Sequence, residues 1–358
     1  MSVTVRIRKK LSRAFSLELD FETSGGCLGI LGRSGSGKSM TLKCLAGIET
    51  PDEGHIAVEG RTLFDSAKRV NLRPQERRVG YLFQNYALFP NMTVMENILS
   101  PPAAGRGGNG RREAALWIER FGLSGMEDRY PRQLSGGQQQ RAALARMLAS
   151  SPDAALFDEP FSALDSALRE YMELQLQELL DTEGPDGAFR NAILVTHNRD
   201  EAYRLCPELA VMSGGRIIVK GGSREVFGNP RFVEAARLTG CKNVSPARQI
   251  SENEVFALDW GLSLRLAGSA EGVTHIGIRA HDFVPADTPR GFNEVRVAVS
   301  KRSSEPFEEA VLFTNADAAC ETERKEIWWK YSKYLKRSLP EKLFLPSEAL
   351  LPLTDPRA

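Results

Sequence analysis

Apolar residues recur along the chain in two distinct rhythms. Near the N-terminus Phe15, Leu17, Leu19 and Phe21 alternate with polar neighbours, which predicts antiparallel strands over residues 3–21 with one buried face, Phe15 included in it. From Cys27 onward the alternation gives way to short, continuously apolar runs: CLGILG, then VGYLFQ (79–84), AALFD (154–158), AILVT (192–196) and LAVMS (209–213), separated by stretches with helical spacing. Strands that are apolar on both faces, with helices between them, predict an α/β fold around a parallel core sheet. Residues 40–48 predict a helix ending near Gly47, so the segment 32–39 lies between a strand and a helix.

Residues 90–150 break this rhythm. Residues 92–100 and 111–121 are predicted helices joined by SPPAAGRGGNG, whose prolines and glycines cannot continue a helix. They predict a helical subdomain inserted into the sheet domain. Beyond residue 235 short β-like pieces follow, EVFALDWG, LSLRLAG, THIGIRAHDF, EVRVAVSKRSS, AVLFTN, EIWWKYSK and KLFLPSEALL, with polar turns between them. A first domain over 1–235 and a small β-rich domain or barrel over 236–358 are expected.

Composition narrows the possibilities. A chain of 358 residues, 42% apolar, can bury sizeable cores and exceeds one ordinary domain. Its 47 basic and 46 acidic side chains nearly cancel, so nucleic acid is not an expected partner, and the local run RIRKK is read as a solvated strand face. Cys27, Cys44, Cys206, Cys241 and Cys320 are scattered without a C-x-x-C spacing, which predicts neither a disulfide framework nor a zinc site and fits a reducing cytoplasm. No leader-like segment and no apolar run near the ~20 residues of a membrane span is evident, so a membrane role is expected to run through a partner.

The candidate chemistry starts at GRSGSGKS, residues 32–39, which matches G-x-x-x-x-G-K-[ST] in the strand–loop–helix setting that makes the motif meaningful. Gly32, Arg33, Ser34, Gly35, Ser36, Gly37, Lys38, Ser39 and Met40 form the expected phosphate site. Glycines turn backbone N–H groups toward phosphate oxygens, the next helix presents its positive end, Lys38 reaches the β- and γ-phosphates, and Ser39 can hold Mg²⁺. This much leaves kinases, GTPases, helicases and transport ATPases open. In ALFDEP an apolar strand ends in paired carboxylates; Asp158 is the expected Mg²⁺ partner and Glu159 the expected general base on an attacking water.

LSGGQQQR, residues 134–141, stands between these two motifs and resembles the signature of the ATP-binding cassette (ABC) ATPases. The resemblance implies a P-loop ABC domain with a parallel core sheet, an antiparallel β subdomain and an inserted helical subdomain, followed by an oligonucleotide/oligosaccharide-binding-like C-terminal domain. It implies ATP and Mg²⁺ as cofactors and a head-to-tail homodimer, in which Ser135, Gly136, Gly137 and Gln138 of one subunit close over the ATP held by the other. Gln84 then matches the glutamine that senses Mg²⁺ and the attacking water. Ser162, Ala163, Leu164 and Asp165 match the loop that reaches across the dimer, and His197 matches the switch histidine at the γ-phosphate. The family's adenine-stacking aromatic has no counterpart in its usual window, which holds Arg8, Lys9 and Lys10; Phe15 is the nearest aromatic, a cation–π contact from a basic side chain is one substitute, and the stacking residue is left open.

One P-loop, one signature and no span resemble the separate ATPase subunit of an importer, peripheral on the cytoplasmic side of the cell membrane. Such a subunit works with two integral-membrane permease subunits and an extracytoplasmic oxyanion-binding protein. VFGNPRFVEAARLTGCKNV, HIGIRAHDF and EIWWKYSKY resemble molybdate-importer ATPases, with sulfate or thiosulfate import as the alternative and a nucleotide-gated regulatory dimer as the reading from another class. Within the tail, residues 300–304 (SKRSS) are a candidate anion cluster, and Trp328 and Trp329 are expected to be packing residues.

Overall fold

The computed structural model describes residues 2–23, 25–101, 110–162, 164–181, 191–286, 291–318, 325–334 and 339–355. Ala163, Cys320 and most of the Pro/Gly-rich linker lie outside these. The chain divides into two compact units, Met1–Arg224 and Glu225–Ala358.

The first unit is an α/β domain built around a mostly parallel sheet, with an antiparallel sheet beside it. Its central sheet runs in the order Arg216–Gly222, Glu208–Ser213, Gly26–Gly32, Asn191–Thr196, Ala154–Asp158, Val79–Leu82, parallel throughout except for the antiparallel edge strand Arg216–Gly222. Successive residues of these strands serve opposite faces. Leu28, Ile30, Leu156, Ile193 and Val195 pack with Leu42 and Leu45 and with Val5, Ile7, Leu17, Leu19 and Phe21 of the antiparallel sheet. Cys27, Phe157 and Leu194 face the other way, onto Ala142, Ala145, Leu148, Met172 and Leu176. This two-sided burial is why the strands read as unbroken apolar runs, each large side chain contributing about 1.5–3 kcal/mol. The antiparallel sheet has the order Ser16–Glu22, Val3–Lys10, Glu53–Val58, Arg61–Asp65, Val70–Asn71, and its basic face is solvated, with Arg6 on Asp20 and Arg8 on Glu18 and Glu53.

Helices Val94–Leu99, Gly110–Arg120 and Gly136–Ala149 make up the helical region. Arg77, fully buried, closes the C-terminal end of helix Lys38–Ala46: Nη1 donates to the Cys44 and Leu45 carbonyls (2.8 Å each), Nε to Leu72 O (2.9 Å) and Nη2 to Asn71 Oδ1 (2.9 Å). A cation suits the negative end of a helix. Gly47, at φ 77°, is required there, since a Cβ would stand 2.5 Å from Arg77 Nε.

The second unit has two five-stranded antiparallel sheets, Leu262–Arg265, Glu254–Ala257, Asn243–Gln249, His275–Ile278, Leu351–Leu353 and Val284–Pro285, Lys342–Phe344, Glu294–Ser304, Glu308–Asn315, Ile327–Ser332. Both feed one core, with Val255, Leu264 and Ile276 from the first and Val295, Phe313, Ile327 and Trp329 from the second. The expected boundary at 235/236 falls inside this unit, because helix Val233–Leu238 packs Val233 and Ala236 on Cys241, Leu351 and Leu353. Strand Asn243–Gln249 carries Pro246, which cannot donate to a ladder, so its sequence argues against the central position it occupies. The 300–304 cluster does not converge: at the end of strand Glu294–Ser304 the register shifts at Ser300, residues 301–304 then alternate between faces, and Ser300 and Ser304 donate to Leu312 O and Glu309. Trp329 is buried and stacks on Tyr331, whereas Trp328 carries Lys242 4.4 Å over its ring. Among the described residues no helix is long and apolar enough to cross a membrane, and Cys27, Cys44, Cys206 and Cys241 are free, buried thiols.

Candidate functional site

The C-terminal ends of three neighbouring parallel strands bring the predicted residues together. Strand Gly26–Gly32 runs into a loop in which Gly35 and Gly37 have φ of 80° and 107°, the left-handed region that residues with a Cβ rarely occupy. The turn is tight, since a Cβ on Gly32 would meet Ser36 Oγ at 2.6 Å and Met212 O at 2.7 Å. Ser36 Oγ is buried without a hydrogen-bond partner. Lys38, 4% exposed, folds back over the loop and donates to Gly32 O (2.9 Å) and Arg33 O (3.1 Å). Burial lowers the Lys38 pKa, opposed by the charges of Glu159 and Asp158. Met40 is partly buried against the core beneath the helix.

Strand Ala154–Asp158 delivers the carboxylates. Asp158 accepts from Ser39 Oγ at one oxygen and from Tyr81 Oη at the other, both at 2.8 Å. Burial first, then the Asp158 charge, raises the Tyr81 pKa, so the phenol remains a donor. The next residue, Glu159, adopts φ 46° without being glycine, a strained conformation of the kind that concentrates at functional sites. That turn points its carboxylate into the cluster, 3.8 Å from Lys38 Nζ and 3.1 Å from His197 Nδ1. Ser39 and Asp158 supply one hydroxyl and one carboxylate, hard oxygen donors of the kind a small divalent cation takes when phosphate and water complete its shell. Among the described residues no cluster of three or more His, Cys, Asp or Glu could hold a metal by itself.

Other predicted residues stand apart. Gln84 lies past the end of strand Val79–Leu82 and its amide points to Ser162 Oγ (3.4 Å), not to the Ser39–Asp158 pair. Ser135 and Gln138 form a reciprocal cap on helix Gly136–Ala149, Gln138 Oε1 accepting from Ser135 N (2.9 Å) and Ser135 Oγ from Gln138 N (3.4 Å). Gly136 leaves open space where a Cβ would go, and Gly137 meets Leu168. Among the described residues no hydrogen bond joins residues 135–138 to the loop 32–39. The same helix is tied to the carboxylate turn by buried Gln140, whose Nε2 donates to Pro160 O (2.8 Å). Asp165 is exposed and caps helix Ser166–Asp181 through Leu168 N (3.0 Å).

Two residues stand differently from expectation. Tyr81 was not singled out; its signal was a lone phenol in an otherwise apolar strand that neighbours ALFD. Phe15 does not share the core face with Leu17: it precedes strand Ser16–Glu22, is half-buried, and its ring edge lies 3.6 Å from where a Gly37 Cβ would sit. It therefore flanks the phosphate loop.

Fold and loop together define a P-loop nucleotide-binding cassette. A family described as ABC transporter matches residues 16–162. The sulfate/thiosulfate import ATP-binding protein CysA of Brucella melitensis is 38% identical over 286 residues, covering 78% of this chain and 76% of that protein. An Fe(3+) ions import ATP-binding protein of Haemophilus influenzae is 39% identical over 231 residues, 64% of this chain and 63% of that protein. A dimeric ATP-binding cassette solved in a post-hydrolysis state with ADP and Pi superimposes with a TM-score of 0.52 at 28% identity, over 63% of this chain and 99% of that one. The chain belongs to the ABC transporter family, among the ATP-binding subunits of its importers.

Proposed function

We propose that this chain is the Mg·ATP-hydrolysing subunit of an oxyanion importer of the sulfate/thiosulfate type. It acts as a homodimer, peripheral to the membrane, on two permease subunits served by an extracytoplasmic binding protein. The observation that carries the hydrolytic reading is the convergence of Lys38, Ser39, Asp158, Glu159 and His197 on one strand-end cluster. Lys38 exchanges the carbonyls of Gly32 and Arg33 for phosphate oxygens, and the loop's N–H groups receive the rest of the triphosphate. Ser39 and Asp158, with Gln84 approaching from its loop, would hold Mg²⁺, which when bound offsets charge on the β- and γ-phosphates. Glu159 takes the proton of the attacking water, and His197 keeps that carboxylate aimed.

Residues 135–138 make no hydrogen bond to their own chain's loop, which supports their serving the nucleotide of a second copy, as would Asp165. The dimeric cassette found as a structural relative is in keeping with that. Phe15, whose ring flanks the loop, is the aromatic we assign to contact with the nucleotide.

The oxyanion class rests on the relatives. Matches to the iron(III) importers extend over 231 residues, whereas those to sulfate/thiosulfate importers extend over 258 to 312 and so reach into the tail. Molybdate, suggested by the tail's resemblance, has no counterpart among these relatives. Uptake of labelled sulfate into vesicles carrying the permease, the binding protein and this chain tests the proposal. Sulfate uptake lost in Lys38→Ala and competed by thiosulfate is expected; uptake competed by molybdate or tungstate but not by thiosulfate would overturn the sulfate assignment.

A further inference from the structure

We infer that Glu201 is a positioning residue for hydrolysis: its buried carboxylate locks the turn that carries His197 and, with Arg169, holds that turn to the segment entering the Asp165 helix. The inference rests on the roles proposed above for His197 and Glu159.

The side chain of His197 is 57% exposed, so little packing holds the imidazole in place and its direction is set by its backbone. That backbone is gripped on both sides. Glu201, 4% exposed, accepts from Thr196 Oγ1 at 2.6 Å with one oxygen and from Asn198 Nδ2 at 3.0 Å with the other. Thr196 and Asn198 are the immediate neighbours of His197. Thr196 Oγ1 also accepts from Asn198 N (2.9 Å), closing a ring of hydrogen bonds around the histidine's peptide units.

The carboxylate is surplus to the needs of the helix it sits on. Helix Arg199–Leu205 is already capped by Asn198 Oδ1, which accepts from Asp200 N (2.9 Å) and Glu201 N (3.4 Å). Burying an acid is costly, and here burial does raise the Glu201 pKa, with nearby Glu173 adding to the rise and the Thr196 and Asn198 hydrogen bonds opposing it. A costly group that no cap requires is explained by the geometry it enforces. Two hydrogen-bond donors on opposite sides of one residue call for the two separate acceptor oxygens that a carboxylate offers.

Arg169 extends the grip. Its Nε is buried, makes no hydrogen bond and lies 4.0 Å from Glu201 Oε1. Its Nη2 donates to Leu164 O (3.2 Å), and its backbone N–H donates to Asp165 O (2.9 Å). The other nearby acid, Glu173, is engaged by Arg204, which leaves Arg169 as the cation facing Glu201. The histidine turn and the entry to the Asp165 helix are thus held through one ion pair.

The test is a double-mutant cycle on ATP turnover by the full chain, with His197→Ala as the second axis. Glu201→Ala is expected to lower kcat at least about tenfold with the KM for ATP within about twofold, and to cost under about twofold more once His197 is already alanine. Glu201→Gln is expected to fall between wild type and Glu201→Ala, because its Oε1 can still accept from one donor while the second acceptor oxygen and the charge facing Arg169 are lost. Should Glu201→Ala fail to fold, Thr196→Val takes its place in the cycle, removing one hydroxyl from the ring, with the same loss of effect expected in the His197→Ala background. A loss that repeats in full in that background, or a folded Glu201→Ala with unchanged kcat, overturns this inference alone. A His197→Ala chain with wild-type turnover overturns the assignment of His197, and this inference falls with it.

Discussion

The two units bury polar groups in different ways. In the second, the buried polar side chains among the described residues are neutral and each serves a backbone: Thr239 bonds Ala235 O, Asn243 pairs with both the N–H and C=O of Trp328, Ser245 accepts from Asp259 N, Asn293 bridges Arg265 N and O, and Asn315 donates to the Trp260 and Gly261 carbonyls. In the first, Lys38, Asp65, Arg77, Asp158, Glu173 and Glu201 are buried as well, and among the described residues every buried side-chain atom without a hydrogen-bond partner lies in this unit. Ser36 on the phosphate loop, Gln140 and Arg141 in the signature helix, and Arg169 and Glu173 behind the histidine turn are among them. A buried polar atom left unpaired costs stability, so a concentration of such atoms marks where the fold serves chemistry ahead of its own stability.

That contrast can be broken at several points. The largest expected effect is on catalysis: Glu159→Gln should lower phosphate release by about 10²–10⁴-fold while nucleotide binding and thermal stability persist, as read by fluorescent-nucleotide titration and calorimetry. A stable, fully active Glu159→Gln would remove the case for a general base. Next, Arg77→Met should destabilise the first unit by about 3 kcal/mol in urea unfolding, because three carbonyls and Asn71 lose their donor together. In the second unit Asn243→Leu should cost about 2 kcal/mol by stranding the Trp328 N–H and C=O, with ATP turnover within about twofold of wild type. Turnover falling in step with stability would mean that the two units are not the separate economies described above.

The smallest expected effect concerns pH. Glu308 is held below the usual carboxylate range by its hydrogen bonds from His281 and then Lys330. A carboxyl depressed in the folded state contributes stability that is present above its unfolded pKa and is lost as pH falls through the folded one. The pair is largely solvated, so Glu308→Gln should cost at most about 0.5 kcal/mol at neutral pH, and the difference should start to shrink as pH falls below the ordinary glutamate range of about 4.3 and vanish once the folded carboxyl is itself protonated.

Much of the cassette was legible because its signals are local. The run AALFD is the strand Ala154–Asp158, AILVT lies within Asn191–Thr196, and Gly35 and Gly37 of the phosphate loop take the positive φ that glycine permits. Phe15 was misread because period-two spacing continues one residue beyond the strand that uses it. Strand Asn243–Gln249 was missed because Pro246 is a poor strand residue whose place is set by its neighbours. Tyr81, Arg77 and Glu201 carry no motif: each acquires meaning from a partner in another segment or from the burial that the fold imposes.

What the sequence by itself determined is therefore what short-range stereochemistry controls: the apolar runs, the breaks at proline and glycine, and a loop whose backbone only glycine adopts without strain. What the tertiary structure decided is which of those pieces meet. Ser39 and Asp158 are 119 residues apart, and Cys44 and Arg77 are 33 apart; sheet order and the strained turn at Glu159 bring such groups within bonding distance. The reason is one of range, since backbone preference acts over a few residues, whereas the position of an acid beside a lysine is fixed by the packing of strands that are neighbours in space and distant along the chain.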